Sequence, residues 1–522
     1  MNMITLNEEN GKIILVSKGN SSPGILHYGA YLTVEDLERD VKFILRVEES
    51  YQTATYEISP LLVDMDLKPL VQDQSVKNVV KAVRIAEMPF REDGMSSYIR
   101  PLLTARVSNQ EEIEYAFGHV RGVPIFPATA YARNCQILKD ENGKAISVNI
   151  PEDFFFHQVL ITGATGSGKT VAMKYLAQYF AEKLNGEDNK PGAVLAVNVK
   201  EEDLLYMDKA TAGYSNSIAR EWQDLGLTPH GVGSFSVYYP GNKMPNYTDK
   251  VDPGKCESIT IKVKNLDPEN IIGLIPNLSL HGAEQLPNIF RYWQSEVMSD
   301  DDTMKDFIHY FDDPNKNREF KVMTSNGDEY TYKMHSGTYS SIKTALTVAS
   351  DYFDTRGSKE LDAEDILERR KISVIDVTSK QGIGFGSVLL RNILNKIYEA
   401  KSQRISDVPV LIIIDEVHEF YGSARSREAL STLDAITRKG RSLGIGVIFA
   451  SQNPEDIPGG ISKVVNSEIN FKGSTDKLKI KSQFFDIEGL RSGYAVTKIH
   501  GLSQIKLVKF PLTLGGLKLE RQ

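Results

Sequence analysis

Residues 163–170 read GATGSGKT, a glycine-rich turn closing on lysine and threonine, set between an apolar run and an amphipathic stretch. FFHQVLIT (155–162) has the composition of a buried strand, and VAMKYLAQYFAEKLNG after the turn repeats Ala172, Leu176, Tyr179/Phe180 and Leu184 at helical spacing, with Asn185-Gly186 as its C-cap. A strand, this turn and a helix in that order make a phosphate-binding loop. Glycines let the backbone bend until its N–H groups point inward, and the helix adds its positive end. Gly163, Ala164, Thr165, Gly166, Ser167, Gly168, Lys169, Thr170 and Val171 are therefore expected around the phosphates of ATP. Lys169 supplies a point charge to the β- and γ-phosphates, and the Thr170 hydroxyl is a ligand for Mg2+.

A second motif, PVLIIIDEVHEF, ends a strand on two acids. Asp415 is placed to hold Mg2+, and Glu416 to orient or deprotonate the attacking water. In GIGVIFASQNP, Gln452 also ends a strand, where it can sense the γ-phosphate or simply cap the strand. Ligands of open α/β sheets gather at that carboxyl edge. In ITRKGRSLG, Ala429, Leu430, Leu433 and Ile436 mark a helix whose last turn carries Arg438 and Lys439, cations that complement its dipole. Arg441 falls beyond Gly440, in a loop, and is expected to act as an arginine finger on a neighbouring subunit's nucleotide, with a surface role as the alternative. The catalytic candidates are thus Lys169, Glu416, Arg441 and Gln452. His418 and Glu419 lack metal-ligand spacing and read as structural or coupling residues.

The phosphate-binding unit sits in a chain of 522 residues, long enough for two or three folded units. Residues 1–150 are strand-rich: KIILV (12–16), VKFILRV (41–47) and KAVRIA (81–86) are separated by turn-prone stretches, and Val41, Phe43, Leu45 and Val47 share one face. A small β-barrel or sandwich is expected there. Residues 151–254 open an α/β core, 255–370 form a mainly helical insertion, 371–480 complete the core, and 481–522 add a C-terminal β segment with a turn near His500-Gly501. AVLAVNV (193–199), ISVIDVT (372–378), PVLIIID (409–415) and IGVIFAS (445–451) are near-continuous apolar runs, as in a parallel sheet covered on both faces.

A net charge of −8 excludes a uniformly basic nucleic-acid coat but leaves room for a local basic groove. Lys463, Lys472, Lys477, Lys479 and Lys481 form such a stretch, although charge runs are ordinarily solvated. Two cysteines, Cys135 and Cys256, exclude a disulfide framework and fit a reducing compartment. The N-terminus lacks the pattern of a signal peptide, and the longest apolar runs are strand-length, so a soluble cytoplasmic protein is expected.

HQVLITGATGSGKT, FSVYYPG (235–241), IIIDEVHEF and RKGRSLGIGVIFASQNP together resemble the HerA branch of the HerA/FtsK superfamily of DNA-translocating ATPases. The resemblance implies a RecA-like core with a helical insertion behind a HAS-type β-barrel. It also implies a homo-hexamer with ATP at subunit boundaries, double-stranded DNA in a central channel, and a separate nuclease or other effector as partner, in DNA end processing or antiphage defence. Roles carry over to Lys169, Thr170, Asp415, Glu416, Arg441 and Gln452. The chain departs from the pattern at Asn198, where relatives place an aspartate, and at Val417, where alanine is usual. A second reading is a ring that assembles or gates an effector with little translocation.

Overall fold

The computed structural model describes residues 3–18, 26–54, 76–89, 98–117, 121–129, 135–140, 142–183, 191–242, 245–274, 280–378, 382–421, 436, 438–453, 465–473, 487–502 and 506–519. Six antiparallel strands come first: β1 (Met3–Glu9), β2 (Lys12–Lys18), β3 (Tyr31–Asp36), β4 (Val41–Ala54), β5 (Val76–Met88) and β6 (Thr104–Val107). They close into a barrel in the order β1-β2-β5-β4-β3-β6. Closure removes the open edges that a sheet of this length would expose. The alternation read from the sequence fills the interior: Val41, Phe43, Leu45 and Val47 are all buried in one cluster with Leu15, Val34 and Val80. Ile44 points the other way, into the core of the larger domain. Helix α1 (Gln110–Ala116) follows, opened by a capping box between Asn109 and Glu112.

The barrel ends sooner than residue 150. Strands β7 (Gly122–Pro127) and β8 (Val148–Pro151) lie instead in a thirteen-stranded sheet. That sheet also takes β9 (Gln158–Thr162), β10 (Ala193–Asn198), β11 (Ser234–Pro240), β12 (Cys256–Thr260), β15 (Lys359–Glu360), β16 (Lys371–Asp376), β17 (Val410–Ile414), β18 (Ile445–Ser451), β19 (Val465–Phe471), β20 (Tyr494–Lys498) and β21 (Lys506–Lys509). Its order is β15-β12-β11-β16-β10-β17-β18-β9-β19-β20-β21-β7-β8, parallel from β15 to β19 and antiparallel beyond. The C-terminal strand pair with its turn at His500-Gly501 is as the sequence predicts, and it joins the sheet to β7.

Both faces of the parallel part are covered, which is why its strands read as unbroken apolar runs. Leu195, Val197, Ile412 and Ile414 face one buried cluster, whereas Val194, Ala196, Leu411 and Ile413 face the other. Helix α2 (Lys169–Lys183) lays Ala172, Leu176 and Phe180 on the second face. Helices α4 (Leu280–Glu296), α5 (Met304–Phe311), α6 (Ser336–Ala349) and α8 (Gly382–Ser402) cover the first face, with Phe290, Trp293, Phe307 and Phe311 packed together. Of two short helices, α3 (Asn216–Asp224) packs Trp222 into the second cluster and α7 (Ala363–Ile366) packs Ile366 into the first. The stretch 255–370 is thus more than a helical insertion: β12 and β15 extend the sheet, and β13 (Glu319–Met323) pairs with β14 (Glu329–Lys333) in a separate hairpin. The polar faces of these short strands hid them from a reading by period. The C-cap expected at Asn185-Gly186 lies outside the described residues. Among the described residues no helix is long and apolar enough to cross a membrane.

Candidate functional site

Strand order assembles the site. β18 lies between β9 and β17, and β10 and β16 continue beyond β17, all parallel. Thr162 pairs with Ser451 and Ile414 with Phe449, so the residues that follow come out along one edge. Gly163, Gln452, Asp415, Lys200 and Asp376 all lie at that carboxyl edge, the usual ligand side of such a sheet.

The loop after β9 has the backbone its glycines allow. Gly163 and Gly168 have φ of +149° and +112°. A Cβ on Gly163 would stand 2.7 Å from Phe471 Cβ, and one on Gly168 would stand 2.8 Å from Gly493 N. α2 begins at Lys169, directly followed by Thr170 and Val171. Lys169 is buried, and its Nζ donates to the carbonyls of Gly163 (2.5 Å) and Ala164 (3.1 Å). Burial pulls its pKa down, against the opposing pull of Glu416 and Asp415. The Ser167 hydroxyl is buried without a hydrogen-bond partner. Outside the loop lies a groove of about 940 Å³, lined by Ala164, Thr165, Gly166, Ser167, Lys472 and the 488–492 turn. That turn is tied to the loop by Gly493 N–H to Ser167 O (2.9 Å) and Ser492 Oγ to Gly166 O (2.9 Å).

The acids after β17 are both buried. Burial first, and then the charge of Glu416, push the Asp415 carboxyl up to about 6. Asp415 Oδ1 accepts from the Glu416 N–H at 2.9 Å. Glu416 is held with φ of +44°, in the left-handed region that non-glycine residues rarely occupy. Its Oε1 accepts from Gln452 Nε2 at 3.2 Å and pairs with the Lys200 ammonium. Its Oε2 is buried with no hydrogen bond, although His418 Nδ1 lies 3.4 Å away. The structure therefore joins Gln452 to Glu416, and His418 lies beside the pair, while Glu419 Oε1 is 3.7 Å from His418 Nε2.

Arg441 is elsewhere, and its local setting differs from the expected loop. The helix runs through 438–443 and ends at Gly444, with φ of +67°. Gly440 lies inside it, and a Cβ there would approach Ile445 O to 2.8 Å, so this glycine marks close packing, not the helix end. Arg441 is exposed at the amino end of β18, near His157, whose pKa its charge helps to lower after burial and His500. Seven residues of strand, roughly 23 Å, separate that end from Gln452. Of the basic stretch, only Lys472 is described; it is exposed, and its carbonyl accepts from Ala164 N–H at 2.8 Å. Lys463, Lys477, Lys479 and Lys481 lie outside the described residues.

Asp376, Tyr247 and Lys200 escaped the sequence reading. Asp376 ends β16, buried, with Oδ1 accepting from Asn198 Nδ2 (3.1 Å) and Oδ2 from Tyr247 OH (2.6 Å). Burial raises its pKa. Asn198 therefore has a physical reason: an aspartate there would set carboxylate against carboxylate. The third is Lys200, two residues past β10, whose only signal in the sequence is a cation just beyond a buried strand.

No family model matches the chain. It is 26% identical over 155 residues to the DNA double-strand break repair helicase HerA of Saccharolobus solfataricus, covering 28% of this chain and 31% of that one. The chain thus spans about a third of the curated relative's length. Among solved structures it is similar to VirB4 of Thermoanaerobacter pseudethanolicus, with 12% identity, 74% of this chain and 96% of that one covered, and a TM-score of 0.43. It is also similar to the plasmid coupling protein TrwB in complex with ADP and Mg2+, with 13% identity, 78% and 98% covered, and a TM-score of 0.42. Those scores make both general likenesses of chain path. In sequence, 155 residues of the chain are similar to HerA, and in structure a closed barrel precedes a mostly parallel sheet with the glycine-rich loop at its carboxyl edge.

Proposed function

We propose that the chain is an ATP-driven motor on double-stranded DNA, working as a homo-hexameric ring with a separate nuclease or effector protein. The observation that carries the ATPase reading is the meeting of the glycine loop, Asp415, Glu416 and Gln452 at one sheet edge, with Glu416 and Gln452 in contact. The reading of a DNA motor rests on the HerA-like sequence.

The residues fit ATP and Mg2+. The partnerless Ser167 hydroxyl and the inward-bent loop suit phosphate oxygens, and Lys169 is free to exchange its two loop carbonyls for them. Burial, and then the charge of Glu416, raise the pKa of Asp415, and a bound cation offsets both. The Thr170 hydroxyl and Asp415 would hold Mg2+, a hard ion that prefers oxygen and neutralises charge on the phosphates. Glu416 is placed to take the proton of the attacking water at Oε2, the oxygen no hydrogen bond engages. Gln452 orients that carboxylate. Arg441 stands a strand's length from its own subunit's loop, so it serves as a finger only in a neighbour's site. That requirement supports a ring.

The test is hydrolysis by purified protein with and without duplex DNA, alongside images with an ATP analogue. A six-membered ring, DNA-stimulated turnover that weakens with salt, and loss of turnover in Lys169→Ala are expected. Full turnover by Lys169→Ala sinks the site. Hydrolysis indifferent to DNA in rings that bind an effector tightly replaces the motor by the assembly platform.

A further inference from the structure

Lys200 is a cation at the site for which phosphate-loop chemistry has no assigned task. Its ammonium pairs with Glu416 Oε1, the oxygen that also accepts from Gln452. The two partners are unlike in freedom. The Glu416 side chain is 2% exposed and follows a strand end held at φ +44°, whereas 45% of the Lys200 side chain is open to solvent. A long, half-exposed stem is able to swing; the buried carboxylate is not. The Lys200 charge is also felt at Asp415 and at Lys169, the two residues that bracket the expected phosphates. The ammonium therefore acts on the Glu416 carboxylate directly and on the loop lysine through its charge.

Resting on the ATPase reading above, we propose that Lys200 is a positioning residue that restrains Glu416 when no γ-phosphate is bound and passes its ammonium to the γ-phosphate of ATP. A terminal phosphate carries more negative charge than one carboxylate and offers more acceptor oxygens, so ATP draws the ammonium away. The Glu416 carboxylate, no longer tied at Oε1 by the ammonium, then offers Oε2 to the attacking water. ADP lacks the γ-phosphate and leaves the pair closed. Lys200 thereby tells ATP from ADP and keeps the carboxylate restrained between turnovers.

The test is fluorescence titration of the full chain with mant-AMPPNP and mant-ADP. Lys200→Met should bind mant-ADP as the parent does, while its preference for mant-AMPPNP over mant-ADP falls about tenfold, the weight of one charge-assisted hydrogen bond. Lys200→Arg, which keeps a cation, should retain most of the preference. Glu416→Gln should tighten mant-AMPPNP binding by freeing the ammonium, and the gain should vanish in the Lys200→Met/Glu416→Gln double variant. An unchanged preference in Lys200→Met overturns the proposal, as does equal weakening of both nucleotides, which would make Lys200 a general anion contact. Lys169→Ala separates the two levels. If it binds both nucleotides as the parent does, the ATPase reading fails; if it loses them while Lys200→Met keeps its preference, only the switch fails.

Discussion

Lys506 on β21 offers a quantitative test of how the barrel side is held to the thirteen-stranded sheet. Its side chain is buried, with the ammonium 3.3 Å above the centre of the Phe117 ring at the end of α1. Burial, and then repulsion from Arg46 on β4, lower its pKa from the ordinary 10.5 to about 7. At pH 7 that difference costs about 4 kcal/mol of stability at about 1.36 kcal/mol per pKa unit. The cation over the ring returns about 2 kcal/mol at a desolvated site. Lys506→Met keeps the length and the contact with Phe117 while removing the charge, so it should stabilise the protein by about 2 kcal/mol at pH 7. The pH dependence gives the sign. The unfolded chain holds its proton up to 10.5, whereas the folded chain releases it near 7, so parent stability rises with pH between those values. The advantage of the variant should shrink steadily from pH 7, at up to about 1.36 kcal/mol per pH unit, and be gone by about pH 9. Urea denaturation of both proteins at pH 7, 8.5 and 10 measures the gap. A variant less stable at pH 7, or a gap that stays constant with pH, refutes the reasoning.

Gly163→Ala should abolish mant-AMPPNP binding, because a Cβ at 2.7 Å from Phe471 on a backbone with φ +149° displaces the loop; binding equal to the parent would contradict this. Arg441→Ala should lose hydrolysis yet keep nucleotide binding, and mixing it with Glu416→Gln protein should restore part of the activity in mixed rings. No rescue across mixing ratios, with mixed rings demonstrated, counts against a shared site. Trp222→Phe removes the hydrogen bond from Nε1 to Leu512 O at 2.8 Å and should loosen residues 511–519, the strap that follows β21, by about 1 kcal/mol, read as faster proteolytic cleavage after residue 510. Unchanged cleavage would show that the remaining bonds to the strap, such as Lys174 Nζ to Gly516 O at 2.6 Å, suffice.

Local chemistry made much of this protein legible in advance. Glycine spacing between a strand and a helix predicts a sharply bent loop, and Gly163 and Gly168 take positive φ there because only glycine adopts it freely. Unbroken apolar runs predict strands covered on both faces, and alternation at Val41, Phe43, Leu45 and Val47 predicts a barrel wall, because each pattern follows from which side of a strand meets water. Gly440 misled the reading of Arg441, since a glycine required by packing against Ile445 looks the same as one that ends a helix.

The rest was settled by contacts between residues far apart in the chain. Only the sheet order, with β18 inserted between β9 and β17, brings Gln452 against Glu416. Only the placement of β16 beside β10 puts Asp376 against Asn198, and no local pattern announces that pair across 178 positions. The barrel closes at Val107 rather than near residue 150 because β7 and β8 find partners in the larger sheet. Lys200 meets Glu416 across 216 positions for the same reason. Propensity acts within a few residues, whereas an ion pair at the mouth of a sheet exists only once the strands have chosen their neighbours.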